Sequence, residues 1–174
     1  MPARKFATRA APKASRPVMP KGYGVPKIRA GMLEWDEVRT ALEKSGRFWI
    51  ATTNPNGGPH LIQQWGAWVG DRFYFEGGSD TRWARNIVRD SRVVVSCDHG
   101  DMAVIVHGTA GSMKPDRALA ERIVRSYTAR YKRKYDYAPK VTSWDEGGIW
   151  FVTPTKVLAW VVARFSKSAT RFQF

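Results

Sequence analysis

Tight-turn signals recur along the middle of the chain, and each lies between segments rich in β-branched and aromatic residues. They occupy residues 54–58, 70–71 and 100–101. Asn, Asp and Gly tolerate the backbone conformations of short hairpin loops, and strands joined by such loops run antiparallel. The spacing therefore predicts a mainly β, α+β fold in which about six antiparallel strands close into a small barrel.

The same pattern sets the expected bounds of several elements. We expect one strand over residues 60–69, and two closing strands over residues 149–153 and 157–163 that Pro154 separates. Two or three short helices flank the sheet. The first starts near Leu33 and ends before Gly46, the second spans residues 80–89 with Ser79 or Asp80 as its N-cap, and the third opens at Pro115. A stripe at four-residue spacing predicts the buried face of the third helix, formed by Leu119, Ile123, Tyr127, Tyr131 and Tyr135.

Positive charge is concentrated at the start of the chain. Residues 1–30 carry eight basic residues and no acidic ones, and subtracting those eight from the formal +14 leaves +6 for residues 31–174. Because residues 1–30 are also rich in proline and lack hydrophobic periodicity, they predict a disordered basic arm before a domain that spans residues 31–174. The arm and the basic face of residues 125–134 favour nucleic-acid binding, but we do not expect nucleic acid to be the main partner.

The single cysteine, Cys97, lies in a valine-rich segment, which predicts an unreactive core residue. No apolar run approaches the roughly 20 residues that a membrane-spanning helix needs. Without a disulfide framework or a secretory signal, we expect a cytoplasmic protein with no membrane partner. The three histidines form no helical pair, and we expect no metal site.

Two adjacent amides interrupt the apolar pattern of the strand predicted after the first hairpin turn. Gln63 and Gln64 precede Trp65 and Gly66. Amide side chains both donate and accept hydrogen bonds, which suits the carbonyls and ring nitrogens of a flavin-like heterocycle. The alternative interpretation is an edge strand whose glutamines are solvated.

A glycine-led loop runs into the second predicted helix. Gly77 and Gly78 allow close approach of a ligand, and Ser79 and Thr81 add hydroxyl groups. The helix start and the guanidinium groups of Arg82 and Arg85 would favour a phosphate. The alternative interpretation is an N-capped surface helix with solvated arginines.

The C-terminal residues 169–174 alternate aromatic and polar side chains. Such a tail is unusual in water, so we expect it to pack on the domain or across a dimer interface. The simpler interpretation is a last barrel strand with no role in a binding site.

The order of these segments resembles the pyridoxamine-phosphate-oxidase-like split barrels, and more narrowly the flavin/deazaflavin oxidoreductases of the B group in actinobacteria. The resemblance covers residues 33–174. The segments that carry it are the strand at 48–53, Pro59-His60, the strand with Trp65 and Trp68, the helix start at 79–86, the valines at 93–95, and the tail at 169–174.

The resemblance implies a split β-barrel that dimerises, with two equivalent sites between the subunits. It implies FMN or the deazaflavin F420 as cofactor, and haem or another tetrapyrrole in some members. The phosphate would contact the helix-start segment, and the ring would lie against the strand at 61–66. Together with the residue arguments above, this selects as cofactor-binding candidates His60, Gln63, Gln64, Trp65, Gly66, Gly77, Ser79, Thr81, Arg82, Trp83, Arg85 and Asn86.

Trp83 departs from the family pattern, since many members carry lysine at this position. Arg82 and Arg85 would supply the missing charge, or Trp83 would stack on a ring. Our working hypothesis is a flavin-type oxidoreductase in which Trp68, Trp83 and aromatic residues of a second subunit form an apolar pocket. That pocket would hold a planar small-molecule substrate for hydride transfer. The alternative is a non-catalytic haem-, tetrapyrrole- or flavin-binding protein of the same fold.

Overall fold

The sheet is built from antiparallel strands throughout. A computed structural model describes residues 11–174 of the chain. Within that part, nine strands are present: β1 (Lys13–Ser15), β2 (Phe48–Thr53), β3 (Pro59–Gln64), β4 (Gly66–Val69), β5 (Arg72–Phe75), β6 (Arg92–His99), β7 (Met102–Met113), β8 (Ile149–Val161) and β9 (Thr170–Gln173).

Helices cover the sheet and connect its parts. The three longest are α1 (Trp35–Lys44), α2 (Arg82–Arg89) and α3 (Arg117–Tyr127). A π-helical turn (Thr128–Lys132) continues α3 into the short helix α4 (Arg133–Tyr135), and helix α5 (Phe165–Ser168) precedes the last strand. None of the helices in residues 11–174 is long and apolar enough to cross a bilayer.

Strand β8 links the two halves of the split barrel. The main path runs β1-β9-β8-β7-β6-β2-β3, and β5 joins β8 while pairing with β4. The first part of β8 pairs with β5 at Trp150–Phe75, and its last part pairs with β9 at Val157–Phe172. This arrangement confirms the predicted α+β split barrel, with three strands more than the approximate number expected from the hairpins.

Alternation along β4 and β5 divides their side chains between two hydrophobic clusters. Trp68, Phe73 and Phe75 belong to the barrel cluster, whereas Ala67 and Tyr74 pack under α3. The predicted helical stripe is confirmed for four of its five members, which are buried in this second cluster, while Tyr135 is 41% exposed. Two faces of one hairpin therefore support two separate packing layers.

Cys97 lies in the barrel cluster and is 3% exposed, which confirms the predicted core residue. Burial raises the pKa of its thiol to about 11. The thiolate is therefore scarce at neutral pH, as expected for a cysteine without nucleophilic chemistry.

Two predicted strand bounds are wrong. The expected strand over residues 60–69 breaks at Trp65, because β3 pairs with β2 whereas β4 pairs with β5. The two closing strands are one continuous strand, β8, in which Gly108 pairs with Pro154 and His107 with Lys156. This register shift makes room for a proline inside the strand, since proline cannot donate to the ladder.

Residues 11–30 differ from the predicted disordered arm. Strand β1 pairs with β9, and the guanidinium of Arg16 donates to the carbonyls of Ile28, Ala30, Lys167 and Ala169 at 2.6–3.0 Å. Backbone carbonyls accept the bonds from Arg16, and strand β1 has only three residues. Neither feature produces hydrophobic periodicity, so no sequence pattern indicates this order. The rest of the predicted arm, residues 1–10, lies outside the described residues.

The C-terminal tail forms strand β9, between β1 and β8. Phe172 is 1% exposed in the barrel cluster. The rings of Phe172 and Phe174 lie 5.3 and 5.1 Å from that of Trp35 on α1. The expected packing of the tail on the domain is confirmed, and it fits the interpretation as a last barrel strand.

Candidate functional site

The helix-start loop leaves some polar groups exposed and uses others for its own structure. Gly78 and Ser79 are exposed. Thr81, rather than Ser79 or Asp80, is the N-cap of α2: its hydroxyl accepts from the Ala84 amide at 3.3 Å and donates to the Gly78 carbonyl at 2.9 Å. The Thr81 hydroxyl is therefore engaged within the loop, while that of Ser79 faces solvent.

Arg82 lines a cavity of about 630 Å³ together with Asn54, Pro55, Asn56 and His60. The cavity lies between the start of α2 and the β2–β3 turn. It places a guanidinium, an imidazole and two amides around one open space. These groups suit a ligand that carries a phosphate beside a polar heterocycle.

The positive charge on α2 is not neutralised within the described part of the chain. Neither Arg82 nor Arg85 forms an ion pair or a hydrogen bond with a protein group in residues 11–174. Arg85 is exposed on the same helix but does not line the Arg82 cavity. A free guanidinium at the mouth of a cavity is available to an anionic ligand.

Asn86 holds the two walls of this cavity together. It is 1% exposed, and its amide donates to the Thr52 hydroxyl at 3.1 Å and to the Asn54 side-chain carbonyl at 3.3 Å. Arg89 adds a hydrogen bond from its guanidinium to the Thr53 carbonyl. Asn86 therefore acts as a positioning residue, and its amide nitrogen is already committed to protein partners.

Trp83 is a core residue, and its burial favours a packing role over the expected stacking on a ring or lining of a substrate pocket. It is 5% exposed, and its ring lies 5.2 Å from those of both Phe75 and Trp150. Trp68 is 2% exposed in the same cluster. Gly77, with a φ of 154°, lies directly over Trp83, since a Cβ at this position would come within 2.5 Å of the indole. The absence of a side chain at Gly77 leaves room for the Trp83 ring.

Strand β3 forms an open edge of the sheet. Among the strands of residues 11–174, it pairs with β2 alone. Gln63 is exposed on the outer face and pairs with Trp49, whereas Gln64 is half-buried opposite Phe48. The two amides thus lie on opposite faces, as strand alternation requires, and only one face can present to a given ligand.

Trp65 and Gly66 belong to an aromatic cluster under α3. The Trp65 ring stacks on Tyr131 with centroids 4.8 Å apart, and Tyr135 lies 4.7 Å away. The Gly66 amide donates to the Tyr131 hydroxyl at 2.9 Å. A Cβ at Gly66 would meet the Phe73 ring at 2.2 Å. The structure therefore brings together His60 and Arg82 in one cavity, and places Trp65 and Gly66 in a separate packing environment.

Comparison with known proteins establishes the family. A family model described as pyridoxamine 5'-phosphate oxidase matches residues 35–160, which is well over half of the chain. The chain belongs to the pyridoxamine 5'-phosphate oxidase family. The matched region includes β3, α2 and every residue that lines the Arg82 cavity. No protein with curated function matches the chain significantly.

Several solved structures share the fold of this protein. A conserved hypothetical protein from Mycobacterium tuberculosis is 22% identical with a TM-score of 0.61, over 75% of this chain and 86% of that one. An F420 reductase is 23% identical with a TM-score of 0.52, over 68% and 94%. The haem storage protein of Vibrio cholerae is 14% identical with a TM-score of 0.51, over 69% and 89%. At these identities the likeness shows a common fold.

A second, larger cavity lies on the outer face of the sheet, and the sequence did not predict it. It measures about 880 Å³, and its lining includes Pro59, Arg92, His107 and Lys156. Burial, and then the charge of Lys156, lowers the pKa of His107, which favours the neutral form of this imidazole. His107 and Lys156 are paired across β7 and β8. Only this long-range pairing brings them together, which explains why no local pattern identified them.

The outer face of the sheet is also more apolar than expected for a solvated surface. Trp49 is 45% exposed and Leu61 is 59% exposed on β2 and β3. Cross-strand pairing continues this face through Val94 on β6, Ile105 on β7 and Leu158 on β8. All three side chains are half-buried. A contiguous face of this kind is suited to association with another protein surface.

Proposed function

We propose that this protein is a flavin-type oxidoreductase that holds FMN or F420 at a homodimer interface and supports hydride transfer to a planar organic substrate. One observation carries the proposal: Arg82, without a protein partner in residues 11–174, lines an open cavity with His60. The cavity lies beside the free edge of β3. Its volume of about 630 Å³ falls in the usual range for cofactor pockets.

The residues around the cavity fit a phosphate-bearing cofactor in part. Arg82 would bind the phosphate, with the exposed hydroxyl of Ser79 as a further donor and Arg85 adding positive charge nearby. His60 and the amide of Gln64 share the inner face of β3 and would border the ring. Gly77, Thr81, Trp83 and Asn86 would shape the helix start without touching the cofactor.

A second subunit would complete this arrangement. The Arg82 cavity is open beside the free edge of β3, and the apolar outer face with Trp49 and Leu61 adjoins the same edge, so a subunit that packs on this face and covers the edge would also cover the cavity. A flavin or deazaflavin, when bound, supplies the hydride chemistry. The protein would bind the phosphate, orient the ring and exclude water. A partner subunit would help to exclude the water.

Titration of the purified protein with FMN and with F420 tests the proposal. We expect at least one of them to bind well below the high-micromolar range. We expect Arg82→Gln to weaken that binding by about tenfold or more, because it removes a charged hydrogen bond to the phosphate. The control, Arg133→Gln, removes an equal charge from the exposed end of α3's extension and should leave the affinity nearly unchanged. Absence of binding by both ligands would overturn the proposal.

His60 favours a second candidate, a haem-binding protein without turnover. Its side chain lines the Arg82 cavity, and a histidine imidazole is a common axial ligand of haem iron. Arg82 would then pair with a haem propionate. Haem addition would produce a Soret band that His60→Ala shifts or abolishes, and neither FMN nor F420 would bind tightly. A Soret band unaffected by His60→Ala would exclude this candidate.

A further inference from the structure

A second cluster of arginines lies away from the Arg82 cavity, where α3 crosses the end of β4. It surrounds a cavity of about 280 Å³. The lining residues are Glu43, Trp68, Val69, Gly70, Arg122, Arg125, Ser126 and Arg130. This cavity, here called the α3 cavity, shares no lining residue with the Arg82 cavity.

Two buried donors at the α3 cavity lack protein partners in the described part of the chain. They are the indole Nε1 of Trp68, a side chain that is 2% exposed, and the guanidinium Nε of Arg130. Leaving a buried donor unsatisfied costs about 1–3 kcal/mol, and folded proteins rarely do so. These are the two such buried side-chain atoms in residues 11–174, and both belong to residues that line this one small cavity.

The charge around the α3 cavity favours an anion. Arg122, Arg125 and Arg130 form no ion pair within residues 11–174, and Glu43 is the one acidic residue in the lining. Three guanidinium groups and one carboxylate leave two positive charges, which match a phosphate dianion better than a carboxylate monoanion. Burial lowers the pKa of Arg130, as expected for a cation kept from water, and the nearby Glu43 carboxylate offsets this only in part.

Local structure holds Arg130 in place at the cavity. Its guanidinium donates to the Ser126 carbonyl at 2.8 Å and also to the Ser126 hydroxyl. Arg130 lies in the π-helical turn that follows α3. Such turns interrupt an otherwise regular helix and frequently occur at functional sites. The side chain is thereby oriented while its Nε remains free to donate.

We propose that the α3 cavity is a binding site for a phosphate group, either inorganic phosphate or the phosphate end of a small monoester. The Trp68 indole and the Arg130 Nε donate to its oxygens, and Arg122 and Arg125 balance its charge. The volume is below the usual range for whole-cofactor pockets, so the site accepts the phosphate and few further atoms. The proposal is independent of the cofactor proposed for the Arg82 cavity.

The indole N–H of Trp68 provides a local reporter. In protein labelled with ¹⁵N, Trp68→Phe assigns its cross-peak among the eight tryptophans. Titration with inorganic phosphate, at constant ionic strength maintained with sodium chloride, should shift this cross-peak saturably. Glycerol phosphate should act in the same way if the site accepts a monoester, and inorganic phosphate alone should act if it does not. Acetate should bind more weakly than either.

Variants separate the site from general charge attraction. Arg130→Gln should weaken phosphate binding by about tenfold or more, since it removes a charged donor from a buried contact. Arg122→Gln provides a second variant at a half-buried position if Arg130→Gln fails to fold. The control Arg133→Gln has the same charge change at an exposed position and should alter the affinity by no more than about twofold.

Three results would overturn the proposal. The first is a Trp68 cross-peak that does not move, or moves without saturating, up to tens of millimolar phosphate. The second is equal weakening by Arg133→Gln and by the cavity variants, which would indicate unspecific attraction. The third is acetate binding as tight as that of phosphate, which would indicate a carboxylate site. Arg82→Gln should leave the Trp68 response intact, which separates this test from binding at the Arg82 cavity.

Discussion

Arg82 and Trp83 are neighbours in the sequence, yet one lines an open cavity and the other is 5% exposed in the core. The difference follows from helical geometry, because Trp83 and Ile87 share the buried face of α2 while Arg82 points elsewhere. The four-residue spacing of Trp83 and Ile87 is visible in the sequence and favours burial. The lysine common at this position in the family favours ligand binding, whereas the tryptophan of this chain packs in the core.

Asn86 provides the sharpest test at the residue scale. Asn86→Ala removes the donor that joins α2 to Thr52 and Asn54, leaving a buried hydroxyl and a carbonyl with fewer partners. We expect the free energy of unfolding to fall by about 2 kcal/mol, measured by urea denaturation.

Val88→Ala on the same helix is the control, since Val88 is 80% exposed and its truncation should change stability by no more than about 0.5 kcal/mol. Equal stability of the two variants would show that the Asn86 network contributes little to the cavity walls.

At the scale of elements, local turn chemistry was predictable and long-range pairing was not. The turns at 54–58, 70–71 and 100–101 connect β2 to β3, β4 to β5 and β6 to β7, as their Asn, Asp and Gly residues indicate. The break at Trp65 depends on a change of partner strand, and the continuity of β8 through Pro154 depends on a register shift opposite Gly108. Neither feature has a local sequence signal.

The packing of strand β9 on the domain can be tested through Phe172. Phe172 is 1% exposed and packs against the ring of Trp35 on α1, so Phe172→Ala should lower the free energy of unfolding by about 3–5 kcal/mol. Urea denaturation measures the loss. Gln173→Ala, at the next and exposed position of the strand, should have a far smaller effect. A loss below about 1 kcal/mol for Phe172→Ala would contradict the assignment of the tail to the core.

For the whole molecule, the candidate site could be predicted only as a set of segments. The family resemblance pointed to β3 and the start of α2, and the structure places His60 and Arg82 from these two segments around one cavity. The residues at the outer cavity, His107 and Lys156, come from strands far apart in the sequence. The apolar outer face likewise combines residues of β2, β3, β6, β7 and β8, which no single segment reveals.

A charge on the apolar outer face of the sheet tests the proposed homodimer. Leu61→Lys places a charge on an apolar surface where Leu61 is 59% exposed, and burying an unpaired charge between subunits is costly. We therefore expect sedimentation velocity to show a dimer for the native protein and mainly monomer for Leu61→Lys.

Val18→Lys makes the same change at a position that is 90% exposed near the start of the chain, and should remain dimeric. A native protein that stays monomeric at all concentrations, or a Leu61→Lys variant as dimeric as the control, would contradict an interface on the outer face.

Arg82 is proposed to bind the phosphate of the cofactor, and a thermodynamic cycle measures that contact directly. FMN and riboflavin differ by the phosphate, so their affinities are compared in the native protein and in Arg82→Gln. We expect the native protein to prefer FMN and Arg82→Gln to reduce that preference by about 1.5–3 kcal/mol, the usual strength of a charged hydrogen bond. An equal preference for FMN in both proteins would show that the phosphate lies elsewhere.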